Sequence, residues 1–251
     1  MESYAAANQV FAGGLIFARV GAMIMLIPGL GDDTVPARVR LSFAFLFALM
    51  LMPVIAPALP VPGTVSGVAT AVIKEIVIGL LIGSILKMFM SSLAVAGEII
   101  SIQTTLAFAQ TAAPGTAAPS TTLGTFLGLI GVTLVMTTNL HHLFLGGIVH
   151  SYELFPFARD IPVADGTQLA IKTLGDTFRL GVQLAAPVIV FSLIFNVATG
   201  LVGRVMPQFQ VFFVATPLMV LLSLSIFALS LGVIGMVWVD HYRDLLGVFA
   251  S

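Results

Sequence analysis

The chain is 251 residues long, 59% hydrophobic and only 8% charged, with a formal net charge of −1 and a mean hydropathy of +1.12. A soluble domain carries roughly 25% charged residues, so this chain cannot cover a water-facing surface and reads as a polytopic membrane or membrane-assembly protein. The charge balance argues against a nucleic-acid surface, and the absence of cysteine excludes disulfides, thiolate metal sites and thiol catalysis.

The opening, MESYAAANQVFAGG, carries Glu2 and no basic residue before Arg19. It lacks the cationic start of a signal peptide, so the first segment is expected to be retained. That first apolar segment runs from about Val10 to Leu30, interrupted by Arg19 and ended by Pro28 and Gly29. A charged turn with Asp32, Asp33, Arg38 and Arg40 follows. The second segment, about Leu41 to Leu59, is broken at Pro53 and Pro57. The third runs from near Val65 to about Phe108, long enough for two spans or one long bent hairpin.

A small, uncharged stretch comes next. From Gln110 to Thr122 no side chain exceeds glutamine, and Pro114, Gly115 and Pro119 rule out a regular helix or central strand. With nothing to bury, it belongs in water or a water-lined cavity. It is either a surface loop between membrane helices or a mobile plug within a conduit. The fourth apolar segment then covers about Leu123 to Val149. Ser151 to Arg179 is the most polar stretch, and within it Ile171, Leu174 and Phe178 share one helical face while Lys172, Asp176 and Arg179 share another. This predicts a short amphipathic helix. Segments at about Gly181 to Val202 and Val211 to Val239 complete a set of about six helical segments, and the tail HYRDLLGVFAS closes the chain.

Loop charges do not orient these segments: Arg38, Arg40 and Arg204 fall on one side, and Arg159, Lys172, Arg179 and Arg243 on the other. Arg19, Lys74, Glu75, Lys87 and Glu98 interrupt apolar stretches, each costing about 2.5–3.5 kcal/mol at the centre of a lipid-exposed helix. Helices that bury polar groups against other subunits or water fit better than a bundle bathed in lipid. Glu75, Gly79, Gly83 and Lys87 recur at four-residue spacing along one side of a helix, and Gly79 with Gly83 permits close helix approach; Gly124 and Gly128 repeat that spacing. Lys74 and Glu75 are about 100° apart and need partners on other helices. His141, His142, His150 and Glu153 cluster without a His-x-x-x-His pair, which makes a poor metal site. No nucleophile motif or phosphate loop occurs, so neither an enzyme nor a cofactor is expected.

Three stretches carry a resemblance. FARVGAMIMLIPGLGDDTVPARVRLSFAFLFALMLMPVI, KEIVIGLLIGSILKMFMSSLAVAGEIISIQ and GLVGRVMPQFQVFFVATPLMVLLSL resemble, in order, the flagellar biosynthetic protein FliR family and its virulence-type secretion counterparts. The last holds Arg204, Pro207 and Gln208 in the family's R-x-x-P-Q arrangement. The resemblance implies an all-α, single-domain export-gate subunit of kinked helical hairpins spanning residues 1–251, in the bacterial inner membrane at the flagellar basal body. Its implied partners are the export-gate P and Q subunits, the B subunit, the basal body ring, membrane lipid and unfolded export substrates. It also implies a pore plug loop at 107–122, with Phe108, Gln110, Ala113, Pro114, Gly115 and Pro119. Family members commonly carry Asp-Pro where this chain has Ala113-Pro114, so no role here rests on that acid. Arg19, Arg38, Arg40, Lys74, Glu75, Gly79, Gly83, Glu98, Arg204, Pro207 and Gln208 are expected at interfaces or in structural roles, with Lys74 and Glu75 pairing across subunits. The rival reading is a small-solute secondary transporter coupled through Lys74, Glu75 or Glu98, whose paired repeats are not visible.

Overall fold

The computed structural model of the chain describes residues 2–32, 35–56, 64–107, 121–157, 163–206 and 210–250. Among these the chain is helical throughout, with seven helices and no strand: α1 (Glu2–Ile24), α2 (Ala37–Ile55), α3 (Val65–Gln103), α4 (Thr122–Thr137), α5 (Leu140–Leu154), α6 (Val163–Val205) and α7 (Val211–Ala250). Four of them, α2, α3, α6 and α7, are long and apolar enough to cross a membrane, and α4 with α5 makes a fifth when the two are taken together. The fold is that of an all-α polytopic membrane protein.

Local chemistry explains where helices start and stop. α1 ends ahead of Pro28, which disfavours helical geometry in the residue before it, and Gly29 takes φ 85°. The turn is stitched by the Gly29 N–H donating to Asp32 Oδ2 at 3.0 Å and by Arg40 Nη1 donating to the Gly31 carbonyl at 2.8 Å. α2 begins directly after Pro36, earlier than the charges of Arg38 and Arg40 suggested, because a proline tolerates only the helix start. Pro53 lies in its last turn.

α3 resolves the long third segment as one helix of 39 residues, not a hairpin. Its sequence contains no proline, and nothing else within it forces a reversal. Its enclosed positions, among them Glu75, Ile78, Ile82, Ile85, Phe89, Leu93, Ala96 and Ile100, recur every three or four residues, so one face is buried along the whole helix. Lys87 is exposed, since a four-residue repeat drifts about 40° per step away from that face.

The fourth apolar segment is two helices rather than one. Asn139 adopts the left-handed conformation at φ 59°, which asparagine tolerates better than most residues, and it separates α4 from α5. The amphipathic helix and the fifth segment merge into the single 43-residue α6. On it the expected apolar face points outward: Ile171 is 66%, Leu174 47% and Phe178 57% exposed, while Thr173 and Thr177 are buried. The buried face instead runs through Thr173, Thr177, Leu180, Leu184 and Val188. α7 likewise absorbs the expected tail and runs to Ala250.

The chain forms two compact units, each built from separated segments. The first holds residues 1–89, 139–174 and 243–251. Within it α1 lies tightly against α3, and a Cβ on Gly79 would come within 2.5 Å of the Arg19 carbonyl oxygen and one on Gly83 within 2.9 Å of Leu26 Cβ. Phe17 and Phe45 join α1 to α2 edge to face, centroids 6.0 Å apart. The second unit holds residues 90–138 and 175–242. There the last turns of α3 are flanked by α4 at Gly131 and by α6 at Gly181. α7 reaches the same turns through Trp238, whose Nε1–H donates to Ser92 Oγ at 3.1 Å and whose ring stacks on Tyr242 at 4.8 Å.

Candidate functional site

Polar chemistry gathers at two places, one in each unit. In the first unit Arg19 is fully buried on α1. Its Nε donates to Glu75 Oε2 at 2.6 Å and its Nη2 to Glu75 Oε1 at 3.1 Å, a bidentate ion pair between α1 and α3. The same guanidinium donates from Nη1 to the Ser151 carbonyl at 2.9 Å and from Nη2 to the Phe155 carbonyl at 2.9 Å. Those carbonyls lie at the end of α5; the Ser151 carbonyl also accepts from the Phe155 N–H at 3.0 Å, and Phe155 itself stands just past the last helical residue. Tyr152 and Phe157 face the cation at 4.1 Å and 5.2 Å. Lys74 Nζ donates to the Phe157 carbonyl at 3.0 Å. Two cations and one carboxylate therefore fix the 151–157 segment onto α1 and α3.

Where a pairing of Glu75 across subunits was expected, Arg19 engages both of its carboxylate oxygens within the chain. Lys74 likewise finds an acceptor within the chain. Sequence marked Arg19, Lys74 and Glu75 as charges in apolar surroundings but gave no sign of which met which, since 56 residues separate the ion pair.

In the second unit the site is made of the described residues on either side of 108–120. α3 closes with Thr105 in the left-handed region at φ 62°, an uncommon place for a β-branched residue. Ser192 Oγ on α6 donates to Gln103 Oε1 at 2.8 Å. On the other side, Thr121 caps α4, its Oγ1 accepting from the Gly124 N–H at 3.1 Å, and its own N–H donates to Glu98 Oε1 at 2.7 Å. Beside this bond, Gly97 of α3 faces Gly124 of α4 so closely that a Cβ on Gly97 would run into the Leu123–Gly124 backbone. The Gly97–Gly124 contact escaped the sequence reading, which paired Gly124 with Gly128; Gly128 has nothing within 4 Å of where its Cβ would stand.

The remaining expected positions are more scattered. Arg38 and Arg204 are exposed. Phe108, Gln110, Ala113, Pro114, Gly115, Pro119, Pro207 and Gln208 lie outside the described residues. His150 Nδ1 is 2.9 Å from Glu153 Oε2, and the rings of His141 and His142 are 4.2 Å apart; among the described residues no three His, Cys, Asp or Glu side chains are placed to share a metal. A cavity of about 540 Å³ between α1 and α2, lined by Val10, Gly13, Phe17, Phe45 and Met52, is apolar and presents no reactive group.

Comparison with known proteins gives this arrangement its context. The sequence profile of bacterial export proteins, family 1, matches residues 10–245. The chain is 58% identical to the flagellar biosynthetic protein FliR of Caulobacter vibrioides over 250 residues, covering 99% of this chain and 100% of that one. It is 30% identical to the FliR of Bacillus subtilis, covering 88% and 86%, and 29% identical to that of Escherichia coli, covering 93% and 89%. With the profile matched over nearly its whole length and such relatives beside it, the chain belongs to the bacterial export proteins, family 1, and within it to the FliR family.

Proposed function

We propose that this chain is a subunit of the flagellar type III protein export gate in the bacterial inner membrane, at the base of the flagellum. The observation that carries this reading is the 58% identity to a flagellar biosynthetic protein over 99% of this chain. In this reading residues 1–251 act as one export-gate subunit beside the P, Q and B subunits, and unfolded flagellar proteins pass the pore that they form. The role is steric and passive; no residue does chemistry.

Residues 107–122 serve as the plug. Their small, uncharged side chains can fill a narrow passage and bring little apolar surface with which to resist an arriving chain. Gln103, before the segment, and Thr121, at its end, are each bonded to a neighbouring helix, which supports the reading. The test is to delete Gln110 to Ser120 and follow ion leakage across the inner membrane. Leakage rises if the segment is a plug; unchanged leakage with the assembly intact contradicts it.

A small-solute carrier finds no favouring observation. The three groups it would couple through are already engaged: Lys74 by the Phe157 carbonyl, Glu75 by Arg19 and Glu98 by the Thr121 N–H.

A further inference from the structure

We propose that Glu98 is a positioning residue that fastens the exit of the 108–120 segment, by supplying from α3 the half of a capping box that α4 lacks. In a capping box the residue at the N-cap accepts from the N–H three residues on, and a Glu or Gln at that third position reaches back to accept from the N-cap N–H. α4 has the first half only: Thr121 accepts from Gly124. The residue that should make the return bond is Gly124, which has no side chain.

Glu98 makes that bond from the neighbouring helix. Its Oε1 accepts from the Thr121 N–H at 2.7 Å, and the carboxyl lies at the positive end of α4. Gly124 is what makes room for it, because a Cβ there would stand 2.9 Å from the same Oε1. Gly97, the residue before Glu98, brings the two backbones together. Gly97, Glu98, Thr121 and Gly124 therefore act as one fastening. The start of α4 is set by α3 and not by α4 alone.

This rests on the reading of the segment as a plug, and the experiment separates the two. Glu98→Ala, Glu98→Gln and the deletion of Gln110 to Ser120 are compared in the export complex assembled with its neighbouring subunits. Amide hydrogen exchange is read at Thr121 and across Leu127 to Val135, and ion leakage is read per assembled complex. Loss of a bond to a charged group speeds opening at Thr121 roughly tenfold or more in Glu98→Ala. Exchange in Leu127 to Val135 stays as in the wild type, and leakage per complex rises toward that of the deletion. Glu98→Gln keeps an acceptor oxygen and falls between; it carries the test if Glu98→Ala does not assemble. Wild-type exchange at Thr121 overturns the fastening. Faster exchange with wild-type leakage, beside a leaky deletion, overturns its role in holding the plug. A deletion that does not leak overturns the plug reading, and the exchange result then judges the fastening by itself.

Discussion

Arg19 shows what a charge in an apolar helix requires. A guanidinium offers five donors in a planar fork, and here four bonds are made, two to Glu75 and two to the carbonyls of Ser151 and Phe155. Removing one partner of a buried pair strands the other, at a cost of about 3–5 kcal/mol. Arg19→Met is therefore expected to destabilise the purified chain by that amount, and Arg19→Lys by much of it, since an ammonium cannot reproduce the fork. Glu75→Gln added to Arg19→Met should cost far less than Glu75→Gln alone. A coupling of roughly 1–3 kcal/mol in a double-mutant cycle, read by loss of helical circular dichroism in detergent, is the expected result; additive effects would contradict the pairing. Composition made the presence of buried charges legible, because each was too costly to leave in lipid. Their pairing was not legible, because it depends on how α1, α3 and α5 meet.

Helices follow the same division. The helical and apolar character of the spans was readable from composition and length, but their number was not, about six segments against four spans or five with α4 and α5 taken together, and neither were three joints. α3, which contains no proline, and α6, which runs on through Pro187, continue where polar or uninterrupted stretches suggested reversals or separate pieces, because a solvated face does not by itself stop a helix. Asn139 breaks one where the apolar run suggested continuity, since a left-handed turn needs only one tolerant residue. Glycines were visible as small residues, but spacing alone could not say which faced a neighbour. This yields a contrast between two glycines of opposite surroundings. Gly97→Ala forces α3 and α4 apart and should cost about 1–3 kcal/mol. Gly128→Ala meets nothing within 4 Å and should stabilise α4 by about 0.5–1 kcal/mol. Melting temperatures of the purified variants should move in opposite directions; shifts of the same sign would contradict the assigned contact.

At the scale of the whole molecule, length and exposure point beyond a single chain in a bilayer. Helices of 39, 43 and 40 residues run roughly 60 Å at 1.5 Å per residue, about twice the hydrocarbon thickness. Half of the most apolar window of α3 is buried, against 17% for α6 and α7, and Phe213 and Leu229 are among the large apolar residues left exposed. Helices of this length and exposure suit an assembly in which neighbouring subunits cover them, as the export-gate reading requires. That reading also explains why counting loop charges could not orient the segments, for the positive-inside rule applies to chains threaded singly through lipid. The most direct test is the native mass of the tagged chain, gently extracted from cells that express the neighbouring export genes. The account predicts a large complex holding one copy of this chain beside several copies of other membrane subunits. A monomer or homodimer that stays folded by itself would contradict it.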